Sequence, residues 1–218
     1  MFELVQKGEP LKALGPRTQV YVVTHAEPDD NNGDLSERGI NQAIELARSR
    51  VMPLLNAVFA EDRCAIQTAA VIAKEYGLKV DSRSCLSGVS LRSSSPEQVL
   101  KFWNSDQPLT PKGESRQQAR KRIGECITKI AELYRDGVVA IVTDPAMSVL
   151  FDSLVVGRSR ICVDVEDWLE MGFAACACYE YGKHGWSTVM RFDNSYLSEP
   201  TGVMDTLPSS WRVILGGP

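Results

Sequence analysis

Along this chain, apolar positions alternate between short β-branched runs and helical repeats. Val20-Tyr21-Val22-Val23-Thr24 ends abruptly in a polar loop and reads as a buried strand. Ser36 is a good N-cap for the next segment, where Ile40, Ala43, Ile44, Ala47, Val51 and Leu54 recur at helical spacing and predict one apolar face. Residues 56–60 are short and apolar, a second strand. Ala65, Ala69, Ile72 and Tyr76 mark a second helix, stopped by Gly77, and Leu78 to Val80 starts a third strand.

Between Asp81 and Lys112 the pattern loosens. Only Ser95-Pro96-Glu97-Gln98 reads as a cap followed by proline at a first helical position, so a short helix is expected there. The rest of 81–112 is expected to be an insertion or lid over the sheet ends. Ala119, Ile123, Ile127, Ile130 and Tyr134 predict a long amphipathic helix, and Val138 to Val142 a strand buried on both faces. Asp144-Pro145 opens a helix over 146–156 that Gly157 ends. Phe173 to Tyr181 and Trp186 to Phe192 suggest a hairpin with a four-residue loop, Gly182 to Gly185, that exposes His184. This order predicts one α/β domain over residues 1–218, three layers deep, with a mainly parallel central sheet.

The charge balance narrows the partners. Lysine plus arginine total 24 against 28 acidic residues, for a formal net charge of -4. That argues against a nucleic-acid surface, which needs a clustered basic face. Arg116, Arg120, Lys121 and Arg122 read as the solvated side of a helix. No apolar run is long enough for a bilayer, and the first residues lack the apolar core of a signal peptide. The six cysteines form no C-x-x-C pair and read as reduced, mostly buried thiols of a cytoplasmic protein, with Cys176 and Cys178 filling core.

Three chemistry-bearing residues fall just beyond strands: His25 after the first, Cys64 past the second and Asp144 after the long apolar one. In an open α/β sheet such loops converge on one crevice. Each also has a structural reading. His25 can pack at a strand end and Cys64 can be a small buried side chain, while Asp144 before proline is a routine N-cap worth about 1 kcal/mol. Were all three to line one pocket, imidazole, thiol and carboxylate would make a zinc set. Alternatively Asp144 could pair with His25 and raise its pKa, leaving a poorer nucleophile.

Four stretches then resemble one family along nearly the whole chain. Val23-Thr24-His25-Ala26-Glu27, with Asn31, stands where the histidine phosphatase superfamily (the phosphoglycerate-mutase-like fold) has an Arg-His-Gly-Glu strand end. Leu35-Ser36-Glu37-Arg38-Gly39 with Gln42-Ala43 is similar to its Leu-Thr-x-x-Gly-x-x-Gln-Ala helix start. Ala65-Ile66-Gln67-Thr68-Ala69 is similar to its Arg-Ala-x-Gln-Thr-Ala helix. Gly113-Glu114-Ser115, Arg122 and 138–150 follow its late helix–strand–helix, and Trp186, Asp193-Asn194 and Leu197 its closing hairpin.

The resemblance implies a pocket in which a histidine attacks a phosphoryl group, two arginines and a second histidine hold the oxygens, and a carboxylic acid protonates the leaving group. It places the nucleophile at His25, the first arginine at Thr24 and the glycine at Ala26. The second arginine falls at Cys64, with Arg63 one residue off, the second histidine at Asp144 and the acid at Gly88. With Glu27 and Asn31 in register, this implies a degenerate member, a pseudoenzyme without phosphoryl transfer that acts in binding or regulation. A phosphohydrolase or mutase using His25 in a non-standard pocket is the alternative, with Arg17, Arg63, Arg92 or Arg122 supplying the missing guanidinium. A protein–protein interaction module is a third. No cofactor is implied; a small phosphorylated ligand or anion, or a protein partner, is. Oligomeric state is not legible.

Overall fold

The computed structural model describes residues 15–29, 32–89, 91–157 and 165–215. Six strands form one sheet in the order β3-β2-β4-β1-β5-β6: β1 (Thr18–Thr24), β2 (Ala57–Ala60), β3 (Val80–Ser82), β4 (Val138–Thr143), β5 (Cys176–Gly182) and β6 (Gly185–Asp193). β1, β2, β3 and β4 pair in parallel, and β5 and β6 add antiparallel at one edge. The fold is the three-layer α/β arrangement expected, with a mostly parallel sheet.

Strict alternation along the strands builds both cores. Val20, Val22, Phe59, Val139, Ile141 and Tyr179 face one way. There they meet α3 (Pro96–Ser105), α4 (Arg116–Leu133) and α5 (Pro145–Val155), with the short helices α6 (Val165–Leu169), α7 (Val203–Thr206) and α8 (Ser209–Leu215). Tyr21, Val23, Val58, Ala140, Val142, Cys176 and Cys178 face the other way, onto α1 (Glu37–Arg48) and α2 (Arg63–Glu75). The chain leaves β1 into α1 on one face and leaves the adjacent β4 into α5 on the other. A crevice opens where neighbouring strands diverge in this way, and His25 and Asp144 stand at its two lips.

Several expectations are corrected. The buried arc of α1 is Gly39, Gln42, Ala43, Leu46 and Ala47, whereas Ile40 is 49% and Leu54 59% exposed. The helix ends at Arg48, so Val51 and Leu54 lie beyond it, and polar Gln42 turns inward to bond the loop after β1. The helix at Ser95 is ten residues long and buries Val99, Phe102 and Trp103. The hairpin loop is Lys183-His184 alone, because Gly182 already pairs with Gly185. Helices α6, α7 and α8, too short to show a period, were not anticipated.

The basic run on α4 is not a solvated face. Arg116 is buried, Arg120 and Arg122 are half-buried, and only Lys121 is exposed. Their long side chains reach across to other elements: Arg116 to the carbonyl of Trp103, Arg120 to Ser153, and Arg122 to Glu114 and the carbonyls of Cys85 and Ser87. Nor are all the cysteines thiols. Cys85 and Cys126 form a disulfide across 41 positions of sequence, because the 3₁₀ turn Ser84–Leu86 packs against α4. Cys176 and Cys178 are free and buried as expected, Cys64 is free and half-buried, and Cys162 lies outside the described residues. No described helix is long and apolar enough to cross a membrane.

Candidate active site

The loop after β1 is held from every side by the sequence motifs that frame it. The His25 N–H donates to the Thr143 carbonyl at 2.9 Å, and its carbonyl accepts from Ala174 at 3.1 Å. Ala26 N donates to Thr68 Oγ1 at 3.0 Å and Glu27 N to Gln42 Oε1 at 3.0 Å. Gly39 is obligatory for this arrangement: a Cβ there would lie 2.1 Å from the Glu27 carbonyl oxygen. Glu27 is buried, and its carboxylate accepts from Ser36 at 2.8 Å, Arg38 at 3.1 Å and Thr201 at 2.7 Å. Burial alone would push its pKa up, but these donors outweigh it and hold the acid below its usual range. Glu27 is therefore a tie between the loop, α1 and the segment before α7.

His25 is 8% exposed and its ring stacks on Phe173 at 5.7 Å between centroids. Its Nδ1 lies 2.8 Å from the Ala26 carbonyl. A carbonyl only accepts, so Nδ1 carries the proton and Nε2 the lone pair of the neutral ring. Burial lowers its pKa to about 4; the Ala26 bond opposes the shift and the charge of Arg92 adds to it. His25 is neutral across the physiological range. The expectation that Asp144 would pair with it and raise its pKa is thus not met.

Asp144 caps α5, accepting from Met147 N at 2.8 Å. Its carboxyl leans against Gly88, where a Cβ would come within 2.9 Å of Asp144 Cβ and Cγ. The Gly88 N–H in turn donates to Asp62 at 2.5 Å. Burial lifts the Asp144 pKa to about 7; the Met147 bond opposes this and the charge of Asp62 adds to it. Asp62 is likewise pushed up by burial. This second carboxyl was not anticipated; its one sequence signal is an aspartate directly ahead of the α2 helix.

The remaining positions are occupied by the fold. Thr24 Oγ1 donates to the Gly172 carbonyl at 2.7 Å and accepts from Ala175 N at 2.8 Å, tying β1 to the approach of β5. Cys64 Sγ lies 3.3 Å from the Gly33 carbonyl, and burial raises its pKa, so the thiol stays protonated. Arg63 pairs with Asp34 at 2.7 Å and Arg17 with Glu180. Among the four arginines considered, Arg92 is the one whose charge acts on both His25 and Cys64. Asn31 lies outside the described residues.

His25, Cys64 and Asp144 do not make a zinc site: among the described residues, no group of three or more His, Cys, Asp or Glu side chains could hold a metal ion. A groove of about 590 Å³ opens on the β5–β6 side, lined in part by Gly172, Asp193, Thr201 and Asp205, but reaches neither His25 nor Asp144.

No curated protein matches the chain by sequence. Among solved structures it is similar to YhfR of Bacillus stearothermophilus, at 17% identity and a TM-score of 0.71, covering 83% of this chain and 100% of that one. It is also similar to a phosphoglycerate mutase from Bacillus anthracis str. Sterne, at 19% identity and a TM-score of 0.67, covering 86% and 98%. A phosphoserine phosphatase from Entamoeba histolytica, solved with phosphoserine, matches at 12% identity and a TM-score of 0.67, covering 83% and 99%. At such identities these likenesses speak for the fold. The model of the histidine phosphatase superfamily (branch 1) matches residues 20–190, and with the strand order and the loop around His25 it establishes that this chain belongs to the histidine phosphatase superfamily.

Proposed function

We propose that this chain is a degenerate histidine phosphatase that no longer transfers phosphoryl groups and acts in binding or regulation, with His25 as the vestigial nucleophile and the 81–112 segment as its cover. One observation carries the reading. At the positions where the family resemblance expects cations and an acid, Thr24, Cys64, Asp144 and Gly88 stand, and each is engaged in holding the fold. Phosphoryl transfer depends mainly on positioning and charge stabilisation. Two carboxyls beside Gly88, Asp62 and Asp144, supply no cation, and once ionised they repel a phosphate: a carboxylate about 4 Å away costs roughly 1–4 kcal/mol at an effective dielectric of 80 to 20. Loss of one stabilising donor elsewhere costs roughly 10²–10³ in rate, and here several are replaced.

A second reading, a phosphohydrolase with a non-standard pocket, draws on the His25 tautomer, in which Nε2 carries the lone pair that a nucleophile needs. Single-turnover phosphorylation by a small phosphoryl donor decides between them, wild type beside His25→Ala. The expected result is no His25-dependent label and no turnover of an aryl phosphate. A phosphoprotein that disappears in His25→Ala would overturn the proposal and establish the second reading.

A further inference from the structure

The 3₁₀ turn Ser84–Leu86 runs on through Ser87 and Gly88 as a strap over the end of β4. Thr143 Oγ1 donates to the Leu86 carbonyl at 3.0 Å, and Arg122 donates to the carbonyls of Cys85 and Ser87, each at 2.8 Å. The Thr143 carbonyl in turn receives the His25 N–H, so the strap and the histidine share one anchor. The covalent tie is the Cys85–Cys126 bond to α4, which holds the two Cα atoms 5.8 Å apart. Beneath the strap lies Asp144. A Cβ on Gly88 would come within 2.9 Å of Asp144 Cβ and Cγ, which leaves no room for a water between strap and carboxyl. Asp62 closes the next side, accepting from the Gly88 N–H at 2.5 Å.

With the disulfide formed, Cys85 cannot leave α4. Without it the strap is a single 3₁₀ turn outside the sheet, kept down by the buried Leu86 side chain and the hydrogen bonds just described. Short turns of this kind open more readily than the sheet and long helices around them. Cys126 is buried and Cys85 half-buried, so the Cys85 sulfur is the one an outside thiol reaches. We propose that the Cys85–Cys126 bond is a redox switch for this crevice: oxidised, it clamps the strap over Asp144 and shields that carboxyl from water; reduced by a dithiol, it frees the strap to lift, water reaches Asp144, and the crevice gains a negative charge. In the reductive step a thiolate of the dithiol attacks Cys85 Sγ and breaks the S–S bond, and Cys126 Sγ leaves and takes up a proton. The second thiol of the reagent then displaces Cys85, so the dithiol becomes a cyclic disulfide and two electrons pass to the protein's sulfurs.

The groups around Asp144 set the direction of the coupling. Burial under the strap has the largest influence and holds the carboxyl at about 7. Asp62 at the start of α2 disfavours the ionised form, and Arg122 on α4, itself paired with Glu114, favours it. His25 at the end of β1 is neutral. Ionised Asp144 therefore favours the lifted strap, which only the reduced chain reaches. Asp144 holds its proton less tightly in the reduced protein, and by linkage a pH raised through the gap between the two midpoints favours reduction. The switch goes beyond the reading of the site as catalytically silent and holds whether or not His25 accepts a phosphoryl group.

The test follows the Asp144 carboxyl carbon by NMR, assigned by its loss in Asp144→Asn, across pH in the oxidised protein and in protein reduced with dithiothreitol. The oxidised midpoint is expected near 7 and the reduced one lower by about one pH unit or more, a tenfold change in proton affinity. Equilibration against mixtures of reduced and oxidised dithiothreitol should show the wild type about tenfold easier to reduce at pH 8 than at pH 5. That ratio is taken relative to Asp144→Asn, which carries the ordinary pH dependence of the thiols. A protein with both Cys85→Ala and Cys126→Ala should titrate Asp144 as the reduced wild type does, with or without dithiothreitol. A bond that only stabilised the fold would leave the Asp144 midpoint unmoved, so equal midpoints in the two states overturn the proposal. So would the absence of a Cys85–Cys126 linked peptide from the oxidised protein. Loss of the folded circular dichroism on reduction would also overturn it, by making the bond a requirement of the whole fold. No step of this test involves phosphate or turnover, so its outcome is independent of the His25 labelling experiment.

Discussion

Replacing Asp144 with asparagine isolates the cost of burying a carboxyl beside Asp62. The folded pKa of Asp144 is raised from 3.8 to about 7 by burial, with Asp62 adding to the shift. The folded state therefore binds this proton more tightly than the unfolded chain does. The resulting stability is fully present below pH 3.8 and is lost as the pH rises through about 7. At 1.36 kcal/mol per pH decade, that difference is worth about 4 kcal/mol. Asparagine keeps the cap, since its side-chain oxygen still accepts from Met147 N, but cannot ionise. Asp144→Asn should thus be within about 1 kcal/mol of wild type at pH 4.5 and more stable by about 2–4 kcal/mol at pH 8. His25, held at about 4 by burial, has the opposite sign: its contribution is present above pH 6.5 and lost as the pH falls through 4. It is common to both proteins and cancels in the comparison. Urea unfolding at the two pH values measures the difference. An Asp144→Asn protein destabilised at pH 8, or shifted equally at both, would refute the account of a strained carboxyl.

Gly39→Ala should lose about 1–3 kcal/mol, because a methyl group 2.1 Å from the Glu27 carbonyl displaces the loop by more than the gain of about 1 kcal/mol in helix propensity repays. A thermal midpoint at or above that of wild type would contradict this. Cys85→Ser opens the loop of 41 positions closed by the Cys85–Cys126 bond and should cost roughly 2–4 kcal/mol. Equal urea midpoints for the variant and for unreduced wild type would count against a stabilising bond.

The scaffold around His25 is more legible in the sequence than the pocket is. Gly39, Gln42, Gln67 and Thr68 were legible through the family resemblance, the last three bonding backbone 15, 32 and 42 positions away, whereas Ser36 was readable as an N-cap because it acts within its own helix start. Asp144 as an N-cap was readable for the same reason. Its partners were not: Asp62 and Gly88 meet it only because β2, β4 and the strap converge. The α4 arginines were misread because chemical type suggests solvent, while long side chains can lie along the core and reach polar atoms on other elements. Arg92 could be named as one of four candidates, but nothing in its neighbourhood of sequence places its charge at His25 and Cys64.

What the sequence alone determined is periodic or punctual: the continuous apolar runs of β1 and β4, the apolar repeats of α2 and α4, the caps at Ser36, Ser95 and Asp144, and the glycines that end helices. These follow from interactions within a few residues, which any chain with the same local order would form. Only the tertiary structure decided which cations face His25, which carboxyls crowd Gly88, and that Cys85 and Cys126 are joined. Those depend on residues far apart in sequence being brought within a few ångströms, and their energies, the raised acid at Asp144 above all, come from burial that no single stretch possesses until the sheet has closed over it.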